Sequence, residues 1–222
     1  MKISNLVILP LAALLTFAVA DDKSKWTAMF NGKDTSGWRN PYEWGEVKVK
    51  DGEVQLTAEK KFFLVTEKKY KDFIFEGEIL LPDGKANSGF MFRCHVEPNK
   101  VFGYQAEVDG SDRRWSGGLY DESRRQWIWP PKSGRTKEPE ILKREKEGLA
   151  HFAKIDVQNA LNRSNWNTYR IHCQGNRLQI WVNGVQTTDI TDDVDAEGFI
   201  GIQHHGEKGQ TYRFRNLRIQ EL

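Results

Sequence analysis

Alternation of apolar and polar residues with period two, broken by turn signals, runs from Trp44 to the C-terminus and constrains this chain more than any other feature. Trp44 to Val49 and Glu53 to Thr57 flank Asp51-Gly52, which reads as a hairpin. Phe73 to Leu80 is a strand ended by Pro82-Asp83-Gly84, and Ser88 to Val96 and Gly103 to Val108 follow. Tyr169 to Gln174 and Arg177 to Val182 flank Gly175-Asn176, and Asn183-Gly184 turns into Val185 to Ile190. Phe199 to His204 and Tyr212 to Gln220 close the series. The expectation is an all-β sandwich in one domain over residues 21–222. Helix is scarce, with Ile155 to Leu161 the best candidate. Asp121 to Asn165, with Pro130-Pro131 and a long charged run, reads as an irregular insertion beside the site.

The first twenty residues read as a signal peptide. Lys2 precedes an apolar stretch from Leu6 to Val19, and Ala18-Val19-Ala20 is a small-x-small cleavage site. The stretch is shorter than the ~20 residues of a spanning helix, so a periplasmic or secreted protein is expected, with no membrane span after cleavage at Ala20. A net charge of +2 with interleaved signs gives no case for nucleic acid. Cys94 and Cys173 allow one bridge at most, and nothing around them has zinc-site spacing. Oligomeric state is not legible. Eight Trp and twelve Phe supply core residues and also rings on which apolar sugar faces pack.

Strand phase sorts the side chains, because alternate residues point to opposite faces. Phe90, Phe92 and Cys94 oppose Met91, Arg93 and His95; Tyr104, Ala106 and Val108 oppose Gln105, Glu107 and Asp109. Ile171 and Cys173 oppose His172, Ile180 and Val182 oppose Trp181, and Ile200 and Ile202 oppose Gln203 and His205. One face thus gathers Arg93, His95, Gln105, Glu107, Asp109, His172, Trp181, Gln203 and His205. An antiparallel sheet commonly has one solvated face. This one, however, holds histidines, carboxylates, amides and a Trp rather than Lys, Thr and Ser, which argues for a site. His204 falls on the core phase and reads as a structural histidine.

The ordered motifs carry a family resemblance over nearly the whole of residues 21–222. Phe30-Asn31-Gly32-Lys33-Asp34-Thr35-Ser36-Gly37-Trp38 resembles the "FNGKDLSGW" opening of the 3-keto-disaccharide hydrolase family. Asn87 to Arg93 resembles its "NSGIFxR" strand, Gly103 to Asp109 its "GYQxEID" strand, and Ser116 to Trp127 its "TGGIYDExRRGW" segment. Trp166 to Arg170, Trp181-Val182-Asn183-Gly184, Gly201 to Gly206 and Phe214 to Leu217 complete the order. Two departures stand out. Many members carry "GYExQ" where this chain has Gln105 and Glu107, and Gln126 replaces the glycine of "RRGW". The resemblance implies a concanavalin A-like lectin/glucanase jelly roll and an exported hydrolase or lyase that cleaves 3-keto-glycosides. A non-catalytic carbohydrate-binding module is the alternative, and a structural surface domain a third.

Such a substrate needs a base near neutral pH, donors for an enolate oxygen and an acid for the leaving group. Glu107 or His205 is the candidate base and Arg93 the candidate oxyanion partner. Tyr120, Glu122 and Arg124 are candidates to orient sugar hydroxyls beside Gln105, Asp109 and Gln203, with Trp127 or Trp181 as a stacking platform. Asp109-Gly110 reads equally as a turn, and Arg124-Arg125 equally as partners of local carboxylates. A divalent metal on Glu107, Asp109 and a histidine is conceivable chemistry for polarising a ketone, but the spacing does not establish it.

Overall fold

In the computed structural model, which describes residues 25–132, 134 and 138–222, the apolar phases of two antiparallel sheets face each other across a single core. The expected signal segment and its cleavage point lie outside the described residues. One sheet runs β13 (Val185–Thr191), β12 (Arg177–Val182), β11 (Asn167–Gln174), β6 (Phe73–Leu80), β15 (Thr211–Glu221), β4 (Glu53–Thr57) and β3 (Glu46–Lys50), with β1 (Thr27–Ala28) also paired to β15. The other runs β10 (Gln126–Trp129), β9 (Leu119–Glu122), β8 (Lys100–Asp109), β7 (Asn87–Glu97), β14 (Gly198–His204), β5 (Phe62–Tyr70) and β2 (Trp38–Arg39). The chain passes repeatedly between the sheets, and this is the all-β sandwich the alternation implied and the jelly roll the resemblance implied.

The turns form where the sequence asks for them. Asp51 and Gly52 both take positive φ (55° and 77°) between β3 and β4, and Asn183 and Gly184 do the same (49° and 85°) between β12 and β13. Between the sheets, Phe75, Phe90, Tyr169 and Phe214 form a ring cluster with Phe90 at its centre, its centroid 5.1 to 5.8 Å from the other three. All four are fully buried.

Three features differ from the expectation. The 121–165 segment is more regular than expected: it holds β10, an α-helix α1 (Pro139–Phe152) and a short α2 (Ile155–Gln158). Helix α1 begins at a proline, which suits the first turn, and is built from Glu, Lys, Arg and Leu. It buries only Gly148 and Phe152, so its apolar stripe is too narrow to read. Second, β5 opens Phe62-Phe63-Leu64-Val65 with all four residues buried, so no alternation marks it. Third, a small second core of Phe63, Val65, Met91, Cys94 and Val101 lies on the outer face of the β5–β7–β14 sheet, under Tyr42 and Phe199. Part of the face expected to be polar is therefore apolar and covered.

Candidate functional site

The outer face of β8 presents Gln105, Glu107 and Asp109, as its phase requires, while Tyr104, Ala106 and Val108 enter the core. Neighbouring strands add Asn87 from β7, Gln203 and the adjacent His205 from β14, Tyr120 and Glu122 from β9, and Trp127 from β10. With Lys61, Ser111 and Arg113 they line one groove of about 430 Å³. In register, Gln105 stands opposite Tyr120 on one side and Met91 on the other, and Gln203 stands opposite Phe63. The polar floor therefore abuts the second apolar core.

Close packing explains two glycines of the motifs. A Cβ on Gly89 would lie 2.4 Å from Cδ of Gln105, so only glycine lets that amide lie across β7. A Cβ on Gly118 would lie 2.9 Å from the Trp127 ring, so glycine also seats the aromatic wall.

Glu107 is the centre of the groove. Its Oε1 accepts from Asn87 Nδ2 at 2.7 Å and from Arg113 Nη2 at 3.2 Å, and its Oε2 accepts from Gln105 Nε2 at 2.8 Å. Three donors leave one of about four acceptor positions of the carboxylate open. Burial pushes its pKa above the ordinary carboxylate value, against the pull of the Asn87 and Gln105 hydrogen bonds and of Arg113. Asp109 is different. Burial pushes it up as well, but donors from Ser111, Arg113 and the Trp115 N–H outweigh that and hold it low. Ser111 N and Oγ bond to its Oδ1, and Arg113 Nε and Trp115 N to its Oδ2, so its acceptor capacity is filled. Asp109 organises the loop that delivers Arg113.

Arg113 is 2.8 Å from Asp109, and its guanidinium carbon lies 4.6 Å from the Trp127 ring centroid and 5.1 Å from that of Trp115. Trp115 meets Trp127 edge-on at 4.8 Å and is backed by Phe152 of α1 at 6.4 Å. The insertion thus braces the aromatic wall. At the rim, His205 Nδ1 is 2.8 Å from Glu207, whose other oxygen accepts from Tyr212. Lys61 pairs with Glu122. Burial, then the charges of Glu122 and Glu107, raise the pKa of Tyr120 and keep its phenol protonated. Two buried oxygens, Oε1 of Gln105 and Oε1 of Gln203, have no hydrogen-bond partner, and both residues line the groove. Such acceptors are costly unless a ligand or water completes them.

Of the residues expected at the site, Gln105, Glu107, Asp109, Tyr120, Glu122, Trp127, Gln203 and His205 come together. The shared-face expectation is corrected for the others. Arg93 has φ 45° at a bulge between Phe92 and His95, which reverses the phase of β7. Cys94 consequently joins Met91 on the outer face, and Arg93, 1% exposed, turns inward at the far end of the strand. There it donates to the carbonyls of Lys71, Gly175 and Asp195 and to Asp72 Oδ1. Arg124 pairs with Asp121 and Asp195 in the same end region, where His95 also meets Asp195. His172 and Trp181 belong to β11 and β12 and open on the opposite face of the sandwich. His204 is buried, stacked on Phe62, with Nδ1 accepting from the Gly206 N–H.

Sequence reasoning did not select Lys61, Asn87, Ser111 or Arg113. Asn87 shares its phase with Gly89 and was legible in principle; Arg113 sits on a loop, where phase gives no signal. Among the described residues no cluster of three or more His, Cys, Asp or Glu is arranged to hold a metal ion. The donor set does not fit one either, since Asp109 is saturated and His205 turns to Glu207.

The fold has solved counterparts at low identity. A protein from Parabacteroides distasonis, provisionally designated a glycosyl hydrolase, matches with TM-score 0.58 and 18% identity, over 90% of this chain and 94% of that one. The carbohydrate-binding module CBM66 from Bacillus subtilis matches with TM-score 0.54 and 17% identity, over 83% and 96%. The exoplasmic/lumenal domain of VIP36, in a form with Ca²⁺ and mannose bound, matches with TM-score 0.54 and 11% identity, over 90% and 91%. No curated protein sequence matches the chain. At the level of sequence families, the profile of the 3-keto-alpha-glucoside-1,2-lyase-like domain matches residues 25–220, and the chain belongs to that family.

Proposed function

We propose that this protein cleaves the C1–O bond of a 3-keto-glycoside by abstracting the proton at C2, with Glu107 as the base. The observation that carries the reading is a buried carboxylate of raised pKa on the floor of a groove, with one acceptor position open and a guanidinium beside it. A C3 ketone acidifies the C2 proton. Glu107 takes that proton, and the electron pair of the C2–H bond forms a C2=C3 enolate. Arg113, 3.2 Å from the carboxylate, supplies the positive charge for the enolate oxygen, the role the sequence had suggested for Arg93. The enolate then re-forms the ketone as the C1–O bond breaks, giving a C1=C2 double bond and an alkoxide. Tyr120, held protonated, or His205 at the rim donates to that leaving oxygen. Addition of water to C1 and C2 would complete a net hydrolysis; release before that step is a lyase reaction.

The unpartnered oxygens of Gln105 and Gln203 accept sugar hydroxyls, and Trp127 offers the stacking ring. The family membership supports this substrate class, and burial outweighing the local donors on Glu107 supports a base rather than a fixed ion. The signal-like first twenty residues support action in the periplasm or outside the cell.

The experiment is turnover of a 3-keto-glucoside beside its unoxidised parent, for the mature protein and for Glu107→Gln. Cleavage of the keto sugar alone is expected, with a loss of about 10²- to 10⁴-fold in the variant and ligand binding retained. Binding without cleavage by the unaltered protein would turn the reading to a carbohydrate-binding module, a function the same fold serves in CBM66.

A further inference from the structure

Two of the residues that left the expected site, His172 and Trp181, meet again elsewhere. On the outer face of the opposite sheet, strand register sets His172 beside Gln179, and Arg170 beside Trp181, on β11 and β12, with Glu76 of β6 across from Arg170. With Thr168 they line a groove of about 790 Å³. Trp181 is half-buried, and its chain neighbours Ile180 and Val182 are fixed in the core, so the indole is held at little entropic cost. Nε2 of His172 is buried and has no hydrogen-bond partner. Burial, then Arg170, lowers the pKa of that ring and keeps it neutral near pH 7.

We propose that this face is a second binding site, for a neutral oligosaccharide, which holds the protein on a glycan while the Glu107 groove is free to act. Neutrality follows from the charges. Glu76 is already paired with Arg170 and Arg218, and Asp189 with Arg177 and the Gln179 amide. A charged ligand would have to break those pairs, whereas hydroxyls can add to them. The indole supplies a flat apolar platform for a sugar ring, and the imidazole, amide and threonine hydroxyl around it exchange hydrogen bonds with hydroxyl groups. An extended peptide is disfavoured, because it would add at a sheet edge, and the backbone of β6, β11 and β12 is already paired on both sides. The three strands span about 10 Å, room for more than one sugar ring. The site lies on the outer face of the sheet opposite the Glu107 groove, with the core between them, so one small ligand cannot occupy both.

The test is calorimetric titration of the full-length mature protein with maltohexaose and with cellohexaose, two neutral glucans. Trp181→Ala, His172→Ala and, as a control in the other groove, Trp127→Ala are titrated alongside. Binding of one glucan at millimolar or lower Kd is expected, weakened about tenfold or more by Trp181→Ala and unchanged by Trp127→Ala. Turnover of a small 3-keto-glucoside by Trp181→Ala stays at the unaltered level, so failure here is separable from failure of the groove assignment. Should Trp181→Ala not fold, His172→Ala gives the same reading, with a smaller loss. Absence of binding to both glucans overturns the proposal. So does binding that Trp127→Ala removes and the far-face variants leave intact.

Discussion

At the scale of single residues, the two carboxylates of β8 are driven apart by their surroundings. Both are buried, yet Asp109 receives four donors and Glu107 three, and only Glu107 ends above its ordinary pKa. In the proposed role of base it works ionised, so kcat/KM should rise with pH along an acid limb whose midpoint lies above 4.5, the ordinary value for a glutamate. Asn87 donates to Oε1 and holds that pKa down, so Asn87→Ala should move the limb to higher pH. A pH profile of kcat/KM for the two proteins checks this, and an unmoved limb would take Glu107 out of the rate-determining proton transfer. The same group links pH to stability with a definite sign. A raised carboxyl binds its proton more tightly folded than unfolded, so its contribution is complete below about 4.5 and is lost as pH rises through the folded value. Asp109 acts oppositely: its contribution stands above about 3.8 and is lost as pH falls through its lowered folded pKa.

At the scale of elements, one bulge decides how far the sequence could be read. Phase placed Gln105, Glu107 and Asp109 of β8 and Gln203 of β14 on the outward face because both strands alternate through the groove, whereas Tyr120 and Glu122 of β9 were singled out by their motif. In β7 the alternation in the letters continues past Arg93, but the backbone does not, since positive φ at Arg93 inserts a residue and exchanges the faces. Phase is also blind to which sheet a strand joins, so His172 and Trp181 were assigned to the right kind of face on the wrong sheet. Strand β5 was illegible for a further reason, burial on both faces, and α1 because its helical preference is local while its buried stripe is two residues wide. Turned inward, Arg93 ties together the β5–β6 turn, the β11–β12 turn and the loop before β14. Arg93→Met keeps most of the volume and removes every donor from three carbonyls. A loss of about 3–5 kcal/mol is expected from urea unfolding, with turnover per folded molecule unchanged. A stable variant that had lost turnover would return Arg93 to the chemistry.

At the scale of the whole molecule, the two cysteines report whether the two cores are one cooperative unit. Both are free and buried, Cys173 between the sheets and Cys94 in the small cluster outside the β5–β7–β14 sheet. Burial pushes the Cys94 thiol far up and the Cys173 thiol up to about 12, so neither is nucleophilic in the folded protein near neutral pH. Thiol reagent at pH 8 should therefore find no reactive group in the native protein and two after unfolding. The informative measurement is labelling across a urea series, read against tryptophan fluorescence. The outer cluster shares β5, β7, β8 and β14 with the main core, and its members alternate along those strands with Phe62, Leu64, Phe90 and Phe92. Its opening cannot leave the inner faces of the same strands undisturbed, so both thiols should appear together at the fluorescence midpoint. Earlier labelling of Cys94 alone would show that the segment carrying Tyr42 lifts from the sheet on its own. Because Met91 and Phe63 of that cluster stand opposite Gln105 and Gln203, such an opening would loosen the floor of the groove at the two residues whose buried amide oxygens have no hydrogen-bond partner.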